Sequence, residues 1–123
     1  MSKDVGRVGW IDMTVENASE TRDFYAAVVG LVPEPVSMGG YDDYSMMIPG
    51  SGEASAGICH ARGSNAAIPS GWLIYFTVEN VDASAATCVE QGGEIVVEPR
   101  GLAGGRFCVI RDPNGAVAAL YQH

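Results

Sequence analysis

The sequence predicts an α+β fold made of two similar strand–helix–strand–strand–strand modules, and three observations lead there. The tetrapeptide Thr14-Val15-Glu16-Asn17 returns half a chain later as Thr77-Val78-Glu79-Asn80, and around it Ile11 falls on Ile74, Met13 on Phe76 and Gly30 on Gly93. Each copy closes a stretch that alternates in polarity, as a half-buried strand does. Each is followed by a helical stretch that ends at glycine, and then by short segments bounded by glycine and proline.

The first strand is expected over Val8 to Val15, with Ile11, Met13 and Val15 on one face and Trp10, Asp12 and Thr14 on the other. Asn17 with Glu20 forms a variant capping box for a helix. On that helix Phe24, Val28, Tyr25 and Val29 make the stripe expected to pack on the aliphatic strand face, and Gly30 is its stop. Strands are then predicted over Leu31 to Ser37, Tyr41 to Ile48 and Ala54 to Ala61, which completes a module over 5–61. Residues 62–70, rich in Gly, Ser, Asn and Pro, read as a linker.

The second module, 71–123, opens at Gly71-Trp72 with Ile74, Phe76 and Val78 facing its helix and Leu73, Tyr75 and Thr77 opposite. Asp82 is expected to cap a helix from Ala83 to Gln91, with Gly92-Gly93 ending it. Strands follow at Glu94 to Glu98, Arg106 to Arg111 and Ala116 to Tyr121. The last two are joined by the turn Asp112-Pro113-Asn114-Gly115. The tract Gly101-Leu102-Ala103-Gly104-Gly105 lacks the strand-then-helix setting of a phosphate loop and reads as a flexible strand connection.

A length of 123 residues suits one domain with a core that needs no staple. A net charge of −8 argues against nucleic acid and anionic membranes as partners and favours neutral or cationic small molecules. Cys59, Cys88 and Cys108 are odd in number and lack Cys-x-x-Cys spacing, so reduced cytoplasmic thiols are expected rather than a disulfide framework or a zinc knuckle. No signal-peptide run and no apolar stretch of spanning length is present, and a soluble cytoplasmic protein is the expectation.

Val15-Glu16-Asn17 followed by Phe24-Tyr25 and Gly30-Leu31, the Gly92-Gly93 stop, and Asp112-Pro113-Asn114-Gly115 before the final strand occur in an order that resembles the vicinal oxygen chelate superfamily. That superfamily includes glyoxalase I, extradiol dioxygenases and bleomycin-resistance proteins. The resemblance spans almost the whole chain and implies paired βαβββ modules curled around one cleft, often in a dimer. It further implies a divalent metal held by the first and last strands of each module, usually through His and Glu. Here the corresponding positions carry Trp10, Leu73 and Ala119, and Ala56 to Ile58 offers no carboxylate. Because such an ion needs about three converging N, O or S donors, the expectation is that the metal centre is lost and that no cofactor is bound.

Projected onto that fold, the alternation sends Trp10, Asp12, Thr14, Leu73, Tyr75 and Thr77 into the cleft. Tyr44, Met46, Arg106 and Tyr121 complete the candidate ligand-binding set. Trp10 and Tyr75 have a simpler reading as filler where a metal would sit. Asp12 has three readings: a structural ion pair, for instance with Arg106, a ligand-binding carboxylate, or a general base whose proton affinity is raised by desolvation. His60 is a second candidate base or ligand, or a surface or capping residue. Cys59 and Cys108 read as buried packing, and Tyr41, Tyr44, Met46 and Met47 as core, subunit contact or pocket. Three readings are carried forward: a metal-free small-molecule-binding homodimer, a metal-independent lyase or isomerase that uses Asp12 as base, and, third, a metal held at shifted positions by Asp12 with His60.

Overall fold

In the computed structural model, residues 4–123 are described, with only the backbone given for Ser64. Eight strands and two α-helices follow one another as β1 (Val8–Val15), α1 (Ala18–Val29), β2 (Val32–Ser37), β3 (Asp42–Met47), β4 (Ala54–His60), β5 (Trp72–Thr77), α2 (Val81–Glu90), β6 (Glu94–Leu102), β7 (Gly105–Arg111) and β8 (Val117–Gln122). A short 3-10 turn, Gly63–Asn65, lies in the linker. The α+β class and the βαβββ order of both modules are as expected. No helix among the described residues is long and apolar enough to cross a membrane.

The chain forms two compact units, Ile11–Trp72 and Leu73–His123, the latter joined by the N-terminal residues up to Trp10. In the first unit the strand order is β2-β3-β4-β1, and in the second β6-β7-β8-β5, the same order one module later. In each, the first strand of the module pairs parallel with the last: Asp12 with Gly57 and Thr14 with Cys59 in one, Tyr75 with Ala119 and Thr77 with Tyr121 in the other. The remaining pairs are antiparallel. A parallel pair requires a crossover, and the helix is what supplies it.

Under α1 the core is Ala18, Met46 and Ile58, fully buried, with Val15, Tyr25, Ala26, Leu31 and Tyr44 packed around them. Of the expected stripe only Tyr25 does this packing, while Phe24, Val28 and Val29 are 57%, 65% and 60% exposed. The helix is phased by its small face. Ala18 carries too little side chain to keep α1 off the sheet, and Tyr25 and Ala26, seven and eight residues on, share that face. Phe24 and Val28 are thereby rotated to a flank. Gly30 ends α1 as expected, at φ +91° with its N–H on Ala26 O at 3.0 Å.

Under α2 the core is Val81, Ala85, Cys108 and Leu120, lined by Phe76, Val78, Ile95 and Ile110. The residue capping α2 is Asn80 and not Asp82: Asn80 Oδ1 accepts from Ala83 N at 2.9 Å, and the helix starts two residues earlier than expected. Gln122 Oε1 accepts the next free donor, Val81 N–H, at 2.8 Å. Asp82 instead receives both Arg106 Nε and Nη2, at 3.0 and 2.9 Å. Asn17, the repeat partner of Asn80, makes no side-chain cap on α1. Gly92 and Gly93 have different reasons to be glycine. Gly92 takes φ +93°, whereas a Cβ on Gly93 would stand 2.5 Å from Cys88 Sγ and 2.9 Å from Arg111 O.

One connection in the second unit is tighter than expected. Strand β6 runs on through Pro99 to Leu102, with register shifts between Ile95 and Val97 and between Val97 and Arg100. Ala103 and Gly104, at φ +49° and +83°, then make a two-residue hairpin turn between the paired Leu102 and Gly105. The Tyr121 hydroxyl, donating toward Leu102 O and Ala103 O at 3.1 and 3.2 Å, ties that turn down, so the tract is no loose connection. The Asp112 turn is as expected: its carboxylate accepts from Asn114 N and Ala116 N at 2.8 and 3.1 Å.

The two copies of the repeat therefore make opposite predictions for one substitution. Asn80→Ala should cost about 1 kcal/mol of stability through the lost cap, whereas Asn17→Ala should change it by less than about 0.5 kcal/mol. Urea denaturation of the two variants decides this, and equal losses would show that α1 is capped by Asn17 after all.

Candidate functional site

On the first unit, the sheet face turned from α1 gathers acidic groups. Along β1, Asp12 and Thr14 are 9% and 4% exposed, and they stand beside Gly57 and Cys59 of β4. Asp43 on β3, 6% exposed, borders the same thiol. Burial, the charges of Asp12 and Asp43, and a hydrogen bond to Asp43 together push the Cys59 thiol up to about 12. Cys59 is thus a neutral donor held between two buried carboxylates, and no nucleophile.

Asp43 also holds His60. Its Oδ1 accepts the His60 backbone N–H at 2.9 Å and lies 3.3 Å from His60 Nδ1. The imidazole meets the edge of Tyr41 at 5.4 Å and the tilted ring of Tyr44 at 6.2 Å, and the Arg62 guanidinium covers Tyr41 at 4.1 Å. His60 is therefore an oriented side chain at a strand end, with its Nδ1 engaged. Asp43 is the residue that sequence reasoning missed. It sits at the start of a strand in an acidic pair, Asp42-Asp43, and only the strand pairing separates the exposed member from the buried one.

The candidate residues divide between the units. Asp12, Thr14, Tyr44, Met46 and His60 belong to one, and Trp10, Leu73, Tyr75, Arg106 and Tyr121 to the other. Within the first, Asp12 and Thr14 share a face, but Met46 is fully buried in the core beneath α1. Tyr44 also lies on the helix side, its hydroxyl 3.1 Å from Ser19 Oγ and its ring under Arg22 at 4.6 Å. Arg22 is at the same time paired with Asp23 at 2.9 Å, and that hydrogen bond lowers the Asp23 carboxyl.

In the second unit Arg106 is committed to Asp82 on α2. Leu73, Tyr75 and Thr77, the strand face turned from α2, are 3%, 7% and 3% exposed, more deeply buried than the helix-facing Phe76. Tyr75 stacks on Phe107 at 6.4 Å, and Arg100 covers Phe107 at 5.1 Å. Tyr121 spends its hydroxyl on the hairpin turn, and Trp10 is 36% exposed. Cys108 is fully buried under α2, and burial first, then Cys88, raises its thiol to about 11.

The positions where the resemblance places metal ligands do not fit an ion. Ala119 is fully buried beside Tyr75, Gly57 lies beside Asp12, and Leu73 and Trp10 carry no donor suited to a divalent cation. Among the described residues, no three His, Cys, Asp or Glu side chains are placed to hold a metal. Two cavities in the first unit are built from other residues. One of about 410 Å³ is lined by the first copy of the repeat, Thr14 to Asn17, with Thr21, Ile68 and Ser70. The other, of about 390 Å³, lies between Arg22, Pro33, Pro35, Asp42 and Tyr44. The second copy, Thr77 to Glu79, lines a cavity of about 130 Å³ with Gln122 and His123.

The raised Cys59 thiol has a consequence for stability. An unfolded cysteine releases its proton near its usual value of 9, while folded Cys59 keeps its proton to about 12. The contribution is fully present below the unfolded value and is lost as pH climbs from about 9 toward 12. Denaturation midpoints should fall over that window in the parent chain and fall less in Cys59→Ala; identical pH profiles would refute the placement of the thiol between two carboxylates.

Comparison with known proteins agrees with this architecture. Residues 7–120 match the model of the glyoxalase/bleomycin resistance protein/dioxygenase superfamily. The chain is 30% identical over 120 residues to a putative glyoxylase, CFP32, of Mycobacterium bovis, covering 97% of this chain and 45% of that protein. It is 32% identical over 111 residues to the anthracycline biosynthesis protein DnrV of Streptomyces peucetius, covering 90% and 39%. The chain thus spans less than half the length of these relatives. Among solved structures, a hypothetical protein of Bacillus halodurans aligns with a TM-score of 0.60 at 14% identity, over 96% of this chain and 94% of that one. The methylmalonyl-CoA epimerase of Mycobacterium tuberculosis aligns at 0.54 and 19%, over 99% and 91%. By sequence and by fold, the chain belongs to the glyoxalase/bleomycin resistance protein/dioxygenase superfamily.

Proposed function

We propose that this chain is a superfamily member that has lost the usual metal centre, acts as a homodimer, and binds a small molecule carrying a positive charge or an aromatic ring. The observation that carries the reading is the pair of buried carboxylates, Asp12 and Asp43, flanking Cys59 on one sheet face. Carboxylates withdrawn from water attract a cation more strongly than exposed ones do, and the net charge of −8 adds to that field. Tyr41 and His60 beside Asp43 supply ring surface for the same ligand. The non-donor residues at the usual ligand positions support the loss of the metal, and the free cysteines agree with a reducing, cytoplasmic setting. The names of the two relatives, a putative glyoxylase and a biosynthesis protein, agree with small-molecule work.

A second reading keeps Asp12 as the base of a lyase or isomerase that works without the usual ion. It is favoured by the burial of Asp12 on a strand beside a cysteine and a second carboxylate, a setting in which proton transfer is tunable.

Titration with a cationic aromatic probe such as N-methylacridinium, followed by the Trp10 emission of a Trp72→Phe variant, separates these readings. Under the binding reading the emission shifts saturably, Asp12→Asn weakens the probe by roughly tenfold, and no product forms. Equal affinity for an anionic analogue of the probe would end it. Under the catalytic reading Asp12→Asn abolishes turnover of a substrate and leaves its binding nearly intact; parallel loss of both would remove Asp12 as a base.

A further inference from the structure

The first unit is polar between its helix and its outer strands at positions where the second unit is core. Strand register matches the two units residue by residue. Thr14 pairs with Cys59 as Thr77 does with Tyr121, so Ile58 corresponds to Leu120, and their antiparallel partners Tyr44 and Cys108 correspond in turn. Two residues back along the same strand face, Asp42 corresponds to Arg106. Counted from the first residue of each helix, Ser19 corresponds to Asp82 and Arg22 to Ala85.

In the second unit this contact is closed. Ala85 and Cys108 belong to the core under α2, and Arg106 is held by Asp82. In the first unit the same positions carry Arg22 and Tyr44, and the Ser19 hydroxyl lies 3.1 Å from that of Tyr44. Among the described residues no hydrogen bond or ion pair holds the Asp42 carboxylate. What the second copy fills with a core and an ion pair, the first leaves as the cavity of about 390 Å³ lined by Arg22, Asp23, Pro33, Pro35, Asp42 and Tyr44. That volume is within the range of small-molecule sites, roughly 300–1,000 Å³.

The lining specifies a guest. The Arg22 guanidinium lies over the Tyr44 ring at 4.6 Å and gives its Nε–H to Asp23 at 2.9 Å. A guanidinium carries five N–H donors in a fork that matches a carboxylate, and Asp23 takes only the Nε–H, so the terminal amino groups keep donors for a ligand. Arg22 and Asp23 cancel in charge, which leaves Asp42 uncompensated. A simple anion therefore meets net negative charge here, and a simple cation leaves the guanidinium fork unused. A zwitterion satisfies both. Asp42 and Tyr44 stand about 7 Å apart along their strand, a distance that neighbouring ammonium and carboxylate groups bridge with one hydrogen bond at each end. Pro33 and Pro35, which pair with Met46 and Tyr44, add two apolar rings as a wall.

We propose that this cavity is a second binding site, for a free α-amino acid with an apolar side chain. The guest places its carboxylate on Arg22, its ammonium on Asp42 and its side chain against Pro33 and Pro35. The site lies on the helix side of the sheet, whereas Asp12 and Asp43 stand on the face turned from α1, so it does not rest on the reading above.

Isothermal titration calorimetry of the full chain tests it with L-leucine, with isoamylamine, which is the same skeleton without the carboxylate, and with 4-methylpentanoate, which lacks the ammonium. L-Leucine is expected to bind saturably and each truncated compound roughly tenfold or more weaker. Asp42→Asn should end the advantage of leucine over 4-methylpentanoate, and Arg22→Gln its advantage over isoamylamine. Glu34→Gln removes the same charge as Asp42→Asn, but from the alternate face of β2, and should leave leucine binding unchanged. Circular dichroism checks that each variant folds, and Arg22→Lys, which keeps the charge and loses the fork, replaces Arg22→Gln if that one does not; it too should weaken leucine. Absence of saturable leucine binding overturns the proposal, and isoamylamine binding as tightly as leucine reduces the cavity to a cation site and overturns the amino-acid assignment. Leucine binding that survives both the Asp42 and the Arg22 variants, or that falls equally in Glu34→Gln, overturns the location.

Discussion

Each module is closed by the parallel pairing of its first strand with its last, and most of what distinguishes this chain follows from that contact. Parallel strands cannot be joined by a hairpin, so a crossover has to intervene, and here it consists of a helix and two further strands, which is the βαβββ order. The same contact decides which side chains stand side by side. It sets Asp12 against Gly57 and Thr14 against Cys59 in one module, and Tyr75 against Ala119 and Thr77 against Tyr121 in the other. The acidic face of the first module and the ring-filled face of the second are two side-chain fillings of one backbone arrangement.

The two modules solve the same local problems differently. In the second, Asn80 and Gln122 satisfy the opening amides of α2, and Gln122 occupies the end of its strand. In the first, Asn17 leaves α1 uncapped, and His60, which ends β4 as Gln122 ends β8, is turned to Asp43. One copy has spent its polar side chains on its own stability. The other has spent them on holding an imidazole and a thiol against buried carboxylates. Two near-copies of one module thus carry different polar fillings, and the two buried carboxylates lie in the first.

The fold was legible in the sequence because its signals are local. Alternation along β1 and β5, glycine at Gly30 and Gly92, and the Asp112 turn each act within a few residues, and all were realised. The misreadings came from choices that only packing makes. Nothing in the order Phe24, Tyr25, Val28, Val29 says that the smallest face of the helix, Ala18 and Ala26, would be the one to sit on the sheet. Asp82 and Asn80 are both acceptable caps, and Arg106, on a neighbouring strand, takes Asp82 for an ion pair. Strand alternation likewise cannot tell Asp42 from Asp43 before the β3–β4 register is known, so the clearest polar residue of the site was invisible. Ala103 shows the limit from the other side: a non-glycine residue at φ +49° contradicts local preference, and the hydroxyl of distant Tyr121 holds it there.

The prolines of the outer strands bear on how a chain containing near-copies of one module folds correctly. While both modules are incomplete, every strand of one has a look-alike in the other, and exchange between copies is the characteristic error of repeated sequences. Strand β2 arrives with two positions that cannot donate, and β6 with one proline and two register shifts. The two strands therefore differ in where their backbones lack a donor and in how regularly they pair. The positions that break the likeness between the halves mark each outer strand as belonging to its own module.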